Sequence, residues 1–195
     1  MTPIRQSLRD ARGTALLEFS LVVPLVLVLC LGVVEVSYAL LDQHVVTKLT
    51  REGSNLISRN TSLQDAANAL TRMSTRPVNF NASAKVILSV IKNVDTAGAP
   101  NVGKDVLYQR YEVGPLGYSS ALQTRGAGAF GGAPDYQAAN SDTDVNLQMT
   151  NLPPNLISAG GLLYVTEIYS THTLITPFDR FGIQVPGTLY SIAYF

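Results

Sequence analysis

The sequence predicts an α+β protein in which one long N-terminal helix packs on a small antiparallel sheet. Three observations support this fold class. A continuous apolar run occupies the start of the chain, a one-sided apolar stripe follows it at helical spacing, and β-branched and aromatic residues are frequent after residue 80. An amphipathic helix laid on a sheet buries both apolar faces in one core.

The apolar run predicts a helix long enough to cross a membrane. Residues 19–34 carry no charge, and Glu18 and Glu35 bracket them. At ~1.5 Å per residue these carboxylates lie about 26 Å apart along a helix, close to the ~30 Å hydrocarbon thickness, so each is expected near one membrane boundary. Pro24 is tolerated in such a helix and favours a modest kink.

Flanking charge sets the expected orientation. Arg5, Arg9 and Arg12 precede the run against Asp10 alone, and positive flanks stay cytoplasmic. The run continues past Gly32 without a small-residue cleavage site, which favours a retained anchor over a secretory signal peptide. We therefore expect a single-pass inner-membrane protein with a cytoplasmic N-terminus and a periplasmic C-terminal domain.

Beyond the membrane the helix is expected to continue with one apolar side. At 100° per residue an arc of about 160° holds the apolar residues of this stretch: Leu41, Val45, Val46, Leu49, Gly53, Leu56 and Ile57. Asp42 and Glu52 are charged exceptions, at the middle and the edge of that arc. The stripe predicts that this part of the helix packs on a soluble domain.

Residues 59–195 are predicted to form that α+β domain. Apolar spacing from Leu63 to Met73, with Ser62 as N-cap, predicts a short helix. Strand patterns occupy residues 84–94, 104–113, 162–175 and 188–195, and the first two are expected to pair antiparallel.

A glycine-rich loop is predicted at residues 114–134, where six glycines and two prolines argue against a helix or strand. Gly126, Gly128 and Gly131 match G-x-G-x-x-G, but a dinucleotide site needs a strand before and a helix after the motif. We expect a flexible surface loop, and adhesive or subunit contacts there are a hypothesis.

Enzyme, metal and nucleic-acid functions lack their usual signatures. Fourteen basic and fourteen acidic residues cancel, so no bulk field favours nucleic acid. Cys30 is the single cysteine, and the motifs H-E-x-x-H, CxxC and G-x-S-x-G are absent from the sequence. Ser170 and His172 share one side of a predicted strand, but spacing supplies neither an oxyanion hole nor an orienting acid. We expect no enzyme, cofactor or metal, and an exposed or half-buried His172.

The start of the chain resembles the processing site of type IV pilins and pseudopilins. Gly13 is followed after four residues by Glu18 and Phe19, between a basic leader and an apolar helix. The resemblance implies that a prepilin peptidase removes residues 1–13 and frees the amine of Thr14. It also implies that Glu18 pairs with the N-terminal amine of a neighbouring subunit during assembly.

A longer stretch is similar to one particular family, the TadE-like domain of Tad (tight adherence, type IVc) pilus assembly proteins. This stretch is residues 12–58, "RGTALLEFSLVVPLVLVLCLGVVEVSYALLDQHVVTKLTREGSNLIS". The matching features include Gly13, Glu18-Phe19, Pro24, Glu35 and the Arg51-Glu52-Gly53 segment. Because major Tad pilins are very short, the resemblance implies a minor pilin or pseudopilin with a pilin-like fold and a helix over residues 14–58.

This family implies a set of partners and two locations. The partners are the prepilin peptidase, other minor pilins and the major pilin, the inner-membrane assembly platform and membrane lipid, with no nucleic acid. The locations are the inner membrane and, after assembly, the extracellular pilus. An unprocessed membrane-anchored binding module, in which Glu18 is merely interfacial, is the alternative, and a tethered periplasmic enzyme is a third hypothesis.

Overall fold

A computed structural model describes residues 4–176 and 187–195, with side chains from Gly13 onward. The first three residues of the expected leader and the stretch before the last predicted strand lie outside these described residues. The elements are α1 (Ile4–Ser58), α2 (Leu63–Met73), β1 (Ala84–Asn93), β2 (Asp105–Val113), β3 (Leu162–Thr171) and β4 (Thr188–Tyr194). The predicted α+β fold class is confirmed.

The described residues form two compact units. One contains α1 up to Leu40 together with residues 174–176, and the other contains residues 41–173 together with β4. In the first unit α1 continues through Pro24, and its large apolar side chains from Leu16 to Leu40 are mostly exposed. By length and composition the helix qualifies as a candidate membrane span.

In the second unit the last part of α1 packs on the sheet. Val46, Leu49 and Ile57 are buried, as the predicted stripe requires. The stripe was predicted one turn too long, because Leu41 is 57% exposed, and the first stripe residues to contact the sheet domain are half-buried Val45 and buried Val46.

The four strands form one antiparallel sheet in the order β2-β1-β3-β4. The predicted pairing of β1 with β2 is confirmed, with one irregularity: Val90 pairs with Gln109, whereas Ile91 pairs with Leu107. Tyr108 is therefore the extra residue of a β-bulge, a device that redirects a side chain.

Each face of the sheet has its own apolar cluster. On the helix side, α1 and α2 cover Leu88, Val90 and Ile168. The helix α2 agrees with its prediction, since the Ser62 hydroxyl accepts the Asp65 N–H at 3.1 Å. On the opposite face, residues from the loops cover the strands, among them Leu122, Leu147 and Ile157.

The glycine-rich stretch is an irregular loop, as predicted, but it is attached to its surroundings. The N–H groups of Arg125 and Gly126 donate to backbone carbonyls of residues 148 and 146, each at 3.0 Å. A Cβ built at Gly128 would lie 2.1 Å from a Leu147 methyl group. Gly128 therefore permits close packing on the loop-side cluster. Residues 129–144 form no helix, whereas a dinucleotide site requires a helix directly after the motif.

Candidate functional site

The residues predicted for processing and assembly lie on an exposed stretch of α1. Gly13, Thr14, Glu18 and Phe19 are all exposed. A Cβ built at Gly13 would meet no atom within 4 Å, so packing among the described residues does not require a glycine there. Within residues 13–176 and 187–195, the Glu18 carboxylate has no hydrogen bond or ion pair.

Glu35 lies in a different environment on the same helix. It is 2% exposed, and its carboxylate accepts the backbone N–H of Thr176 at 2.8 Å and the Thr176 hydroxyl at 2.5 Å. The N–H of Ile175 donates to the same carboxylate at 3.2 Å. These bonds compensate the desolvation of a buried charge, so Glu35 anchors residues 175–176 to α1.

Asp42, the charged exception in the apolar stripe, is explained by a contact with His172. The Asp42 carboxylate lies 2.7 Å from His172 Nδ1. The expectation for His172 was wrong, because the residue is only 6% exposed and lies just beyond the end of β3. It contacts Asp42, a partner 130 residues away that local strand periodicity does not reveal.

Ser170 and His172 do not form the pair of nucleophile and base that their spacing in the sequence allowed. The Ser170 hydroxyl donates to the Pro77 carbonyl at 3.3 Å, while His172 Nδ1 faces Asp42. No group of three metal-ligating side chains occurs among the described residues. The two side chains therefore have separate partners, whereas a nucleophile and its base are joined by a hydrogen bond.

A second buried carboxylate, Glu167, organises the loop side of the sheet. It is fully buried and accepts the hydroxyl of Ser120, the N–H of Ala121 at 2.8 Å and the Tyr190 hydroxyl at 3.0 Å. Arg110 donates to the Ser120 hydroxyl at 3.1 Å. The network ties the glycine-rich loop to strands β2, β3 and β4.

Burial and the charge of Glu167 shift the ionisation of its neighbours. Burial lowers the pKa of Arg110, while the charges of Glu167 and Glu112 oppose that shift. Burial, followed by the nearby Glu167 charge, raises the pKa of Tyr190 well above its ordinary value. The pKa of Tyr169 is raised by the same two causes.

The strand tyrosines behave as packing residues with polar ends. Tyr169 stacks on Tyr118 with ring centroids 4.8 Å apart and contacts Tyr190 at 4.6 Å. Tyr111 stacks on Tyr136 at 4.1 Å. Offset aromatic pairs of this kind stabilise folds by ~0.5–1.5 kcal/mol beyond their buried area, and both sets join a loop residue to the sheet.

The sequence analysis did not find the partners of three carboxylates. Glu35 contacts Thr176 and Asp42 contacts His172. Glu167 contacts Ser120. A usable signal existed for Asp42, whose charge interrupts an apolar arc. Glu167 gave none, because a charged residue in an alternating strand is normally assigned to the solvent side.

The similarity to known proteins lies in α1. Residues 13–55 match the family model of TadE-like proteins. This match confirms the resemblance inferred from the sequence and points to a structural protein related to the Tad pilus. It covers most of α1 and none of the sheet, and it begins at Gly13. No curated protein and no solved structure matches the chain.

Proposed function

We propose that this protein is a minor pilin or pseudopilin of a Tad-type pilus, cleaved after Gly13 by a prepilin peptidase. The observation that carries the proposal is the TadE-like match over residues 13–55. It coincides with a helix whose apolar side chains are exposed from Leu16 to Leu40. Before assembly these side chains contact lipid, and in the filament they contact other pilin helices.

Cleavage explains the glycine at position 13. Gly13 lies within α1 and is exposed, whereas a protease binds its substrate in an extended conformation. Glycine weakens a helix by about 0.5–1 kcal/mol relative to alanine, so local unwinding is easiest at this position. The absence of a side chain also leaves space for the catalytic groups of the peptidase.

The exposed Glu18 obtains its partner through assembly. Cleavage frees the ammonium group of Thr14, and Glu18 then lies five residues into the mature chain. In the low dielectric of a filament core an ammonium and a carboxylate attract far more strongly than in water. A neighbouring subunit supplies that amine, so the pair sets the axial register of the subunit in the filament.

The sheet domain faces the periplasm and contacts other minor pilins or lies near the pilus tip, with the cytoplasmic leader positioned for the peptidase. The remaining partners are the major pilin and the inner-membrane assembly platform. Residues 59–195 thus serve as the recognition part of the subunit, and the helix up to Ser58 serves as its assembly part.

Intact mass and N-terminal sequencing of the protein from native membranes test this proposal. We expect a chain that begins at Thr14. A Gly13→Val variant is expected to keep residues 1–13, as is the wild type in cells without the prepilin peptidase. Gly117→Ala is the matched control, because Gly117 is also exposed with no atom within 4 Å of a built Cβ. Recovery of full-length wild-type chain instead would support the unprocessed, membrane-anchored module.

A further inference from the structure

A cavity of about 300 Å³ opens on the helix side of the sheet domain, close to the end of α1. Its apolar walls are the buried residues Ile57, Leu63 and Val90. This volume lies at the lower end of the ~300–1,000 Å³ range of small-molecule sites, which suits a ligand of one or two rings. The proposed role in pilus assembly does not use this cavity.

The cavity rim is polar and available for binding. The side-chain amides of Asn60, Gln109 and Gln137 line it, together with half-buried Tyr108 and Tyr164. In the described part of the chain, none of these three amides has a hydrogen-bond partner. Each amide has hydrogen-bond donors on its nitrogen and an acceptor oxygen. The rim therefore suits a ligand whose groups can donate and accept hydrogen bonds.

The wall that carries Gln137 is held in place before any ligand binds. The Pro134 carbonyl accepts the N–H of Gln64 at 3.1 Å, and the Tyr136 carbonyl accepts the N–H of Arg110 at 3.3 Å. The Tyr136 ring stacks on Tyr111 with an interplanar angle of 10°. The bulge in β2 places Tyr108 beside this wall. A preformed site lowers the ordering cost of binding.

Charge narrows the class of ligand. Among the described lining residues Asp135 is the charged one, and no lysine or arginine lines the cavity, which disfavours phosphates and carboxylates. Amides and a carboxylate bind hydroxyl groups, while tyrosine rings offer a flat apolar surface with a polar edge. We infer that this cavity binds a neutral saccharide of one or two rings, an activity independent of processing and assembly.

Saturation-transfer NMR on the full chain tests the inference, in a detergent without a sugar headgroup. The probes are maltose, cellobiose and chitobiose, with putrescine as a cationic probe. We expect transfer to at least one disaccharide with Kd on the order of 1 mM. The double variant Asp135→Ala/Gln137→Ala alters two exposed side chains and is expected to weaken binding by about tenfold, since two hydrogen bonds are lost.

Asn68→Ala, at an exposed position of α2, is the matched control and should bind like the wild type. Tyr164→Ala is a second variant, with a thermal unfolding curve to verify its fold, and should also lose binding. Absence of disaccharide binding by the wild type, binding that both cavity variants retain, or binding of putrescine alone would each overturn the inference. None of these results bears on cleavage after Gly13.

Discussion

The two parts of α1 are both apolar, but their side chains meet different surroundings. From Leu16 to Leu40 the large apolar side chains are mostly exposed, whereas Val46, Leu49 and Ile57 are buried against the sheet. The difference shows that apolar composition gives no information about the partner of a helix. The distribution of apolar residues around the helix does give that information. A helix that is apolar on all sides needs lipid or other helices, whereas a helix with a single apolar stripe needs one packed face.

Glycines and carboxylates repeat this contrast along the helix. Gly13 has open space around it, whereas a Cβ at Gly53 would lie 2.7 Å from the Thr166 methyl group. Glu18 has no partner among the described residues, whereas Glu35 accepts bonds from Ile175 and Thr176. Among the described residues, close packing therefore requires a glycine at position 53 but not at position 13.

The largest expected effect is on assembly. Glu18→Ala is expected to leave membrane insertion and processing intact and to abolish incorporation into filaments, because the Thr14 amine of the neighbouring subunit loses its counter-charge. Quantitative blotting of sheared pili against the membrane fraction measures the loss. Glu18→Asp retains the charge and is expected to restore part of the incorporation. Normal incorporation of Glu18→Ala would contradict the proposed pairing.

A pair of truncations separates the two parts of α1 by stability. Ile57→Ala removes buried side-chain volume and is expected to lower the free energy of unfolding by about 2–5 kcal/mol. Leu27→Ala, at a residue that is 57% exposed, is expected to leave the unfolding of the sheet domain unchanged. Urea unfolding in detergent, followed by tyrosine fluorescence, measures both, since the chain has nine tyrosines and no tryptophan. Equal losses would refute the distinction.

Gly53→Ala tests the close contact between α1 and Thr166 of β3. The added methyl group meets Thr166 side-chain atoms at 2.7 and 2.8 Å, and such overpacking typically costs about 1–3 kcal/mol. Thr166→Ala removes both atoms, so the double variant is expected to recover part of the loss through a favourable coupling energy. Gly117→Ala, which meets no atom within 4 Å, is the control. Additive losses at residues 53 and 166 would show that the two positions do not touch.

Elements of the fold were predictable because their signals are local. The stripe of α1, the Ser62 cap of α2 and the alternation in β3 each depend on residues within a few positions of one another. The pairing of β1 with β2 followed from two neighbouring strand patterns and an intervening turn. The β2 bulge at Tyr108 was not predictable, because it depends on packing across strands rather than on the sequence within one.

The polar contacts were not predictable, because they join residues far apart in sequence. Asp42 and His172 are separated by 130 positions, and Glu35 and Thr176 by 141. A charged residue in a strand or apolar helix is ordinarily assigned to water, since burial costs several kcal/mol without compensation. Only the tertiary fold supplies that compensation. The processing site at Gly13 rests on a contiguous pattern and stays a prediction.

The smallest expected effect concerns Tyr190, in the unit that contains the buried part of α1. Its hydroxyl donates to Glu167 at 3.0 Å, so Tyr190→Phe, at a half-buried position, is expected to lower stability at neutral pH by about 1.5 kcal/mol, the lower end for a hydrogen bond to a charged group. Because the folded protein raises the pKa of Tyr190 through burial and the Glu167 charge, the phenol stabilises the fold fully below its ordinary pKa of 10.0. That contribution is lost as the pH rises above this value.

The unfolding free energy of the wild type should therefore fall with rising pH above about 10, and the slope should be shallower in Tyr190→Phe. Tyr38→Phe, at an exposed position of α1, is the control and should keep the wild-type slope. Equal alkaline slopes in the wild type and Tyr190→Phe would mean that the Tyr190 hydroxyl is not held against Glu167. Among the described residues, the hydrogen bonds that Glu167 accepts would then be those of the Ser120 hydroxyl and the Ala121 N–H, which hold the loop to β3.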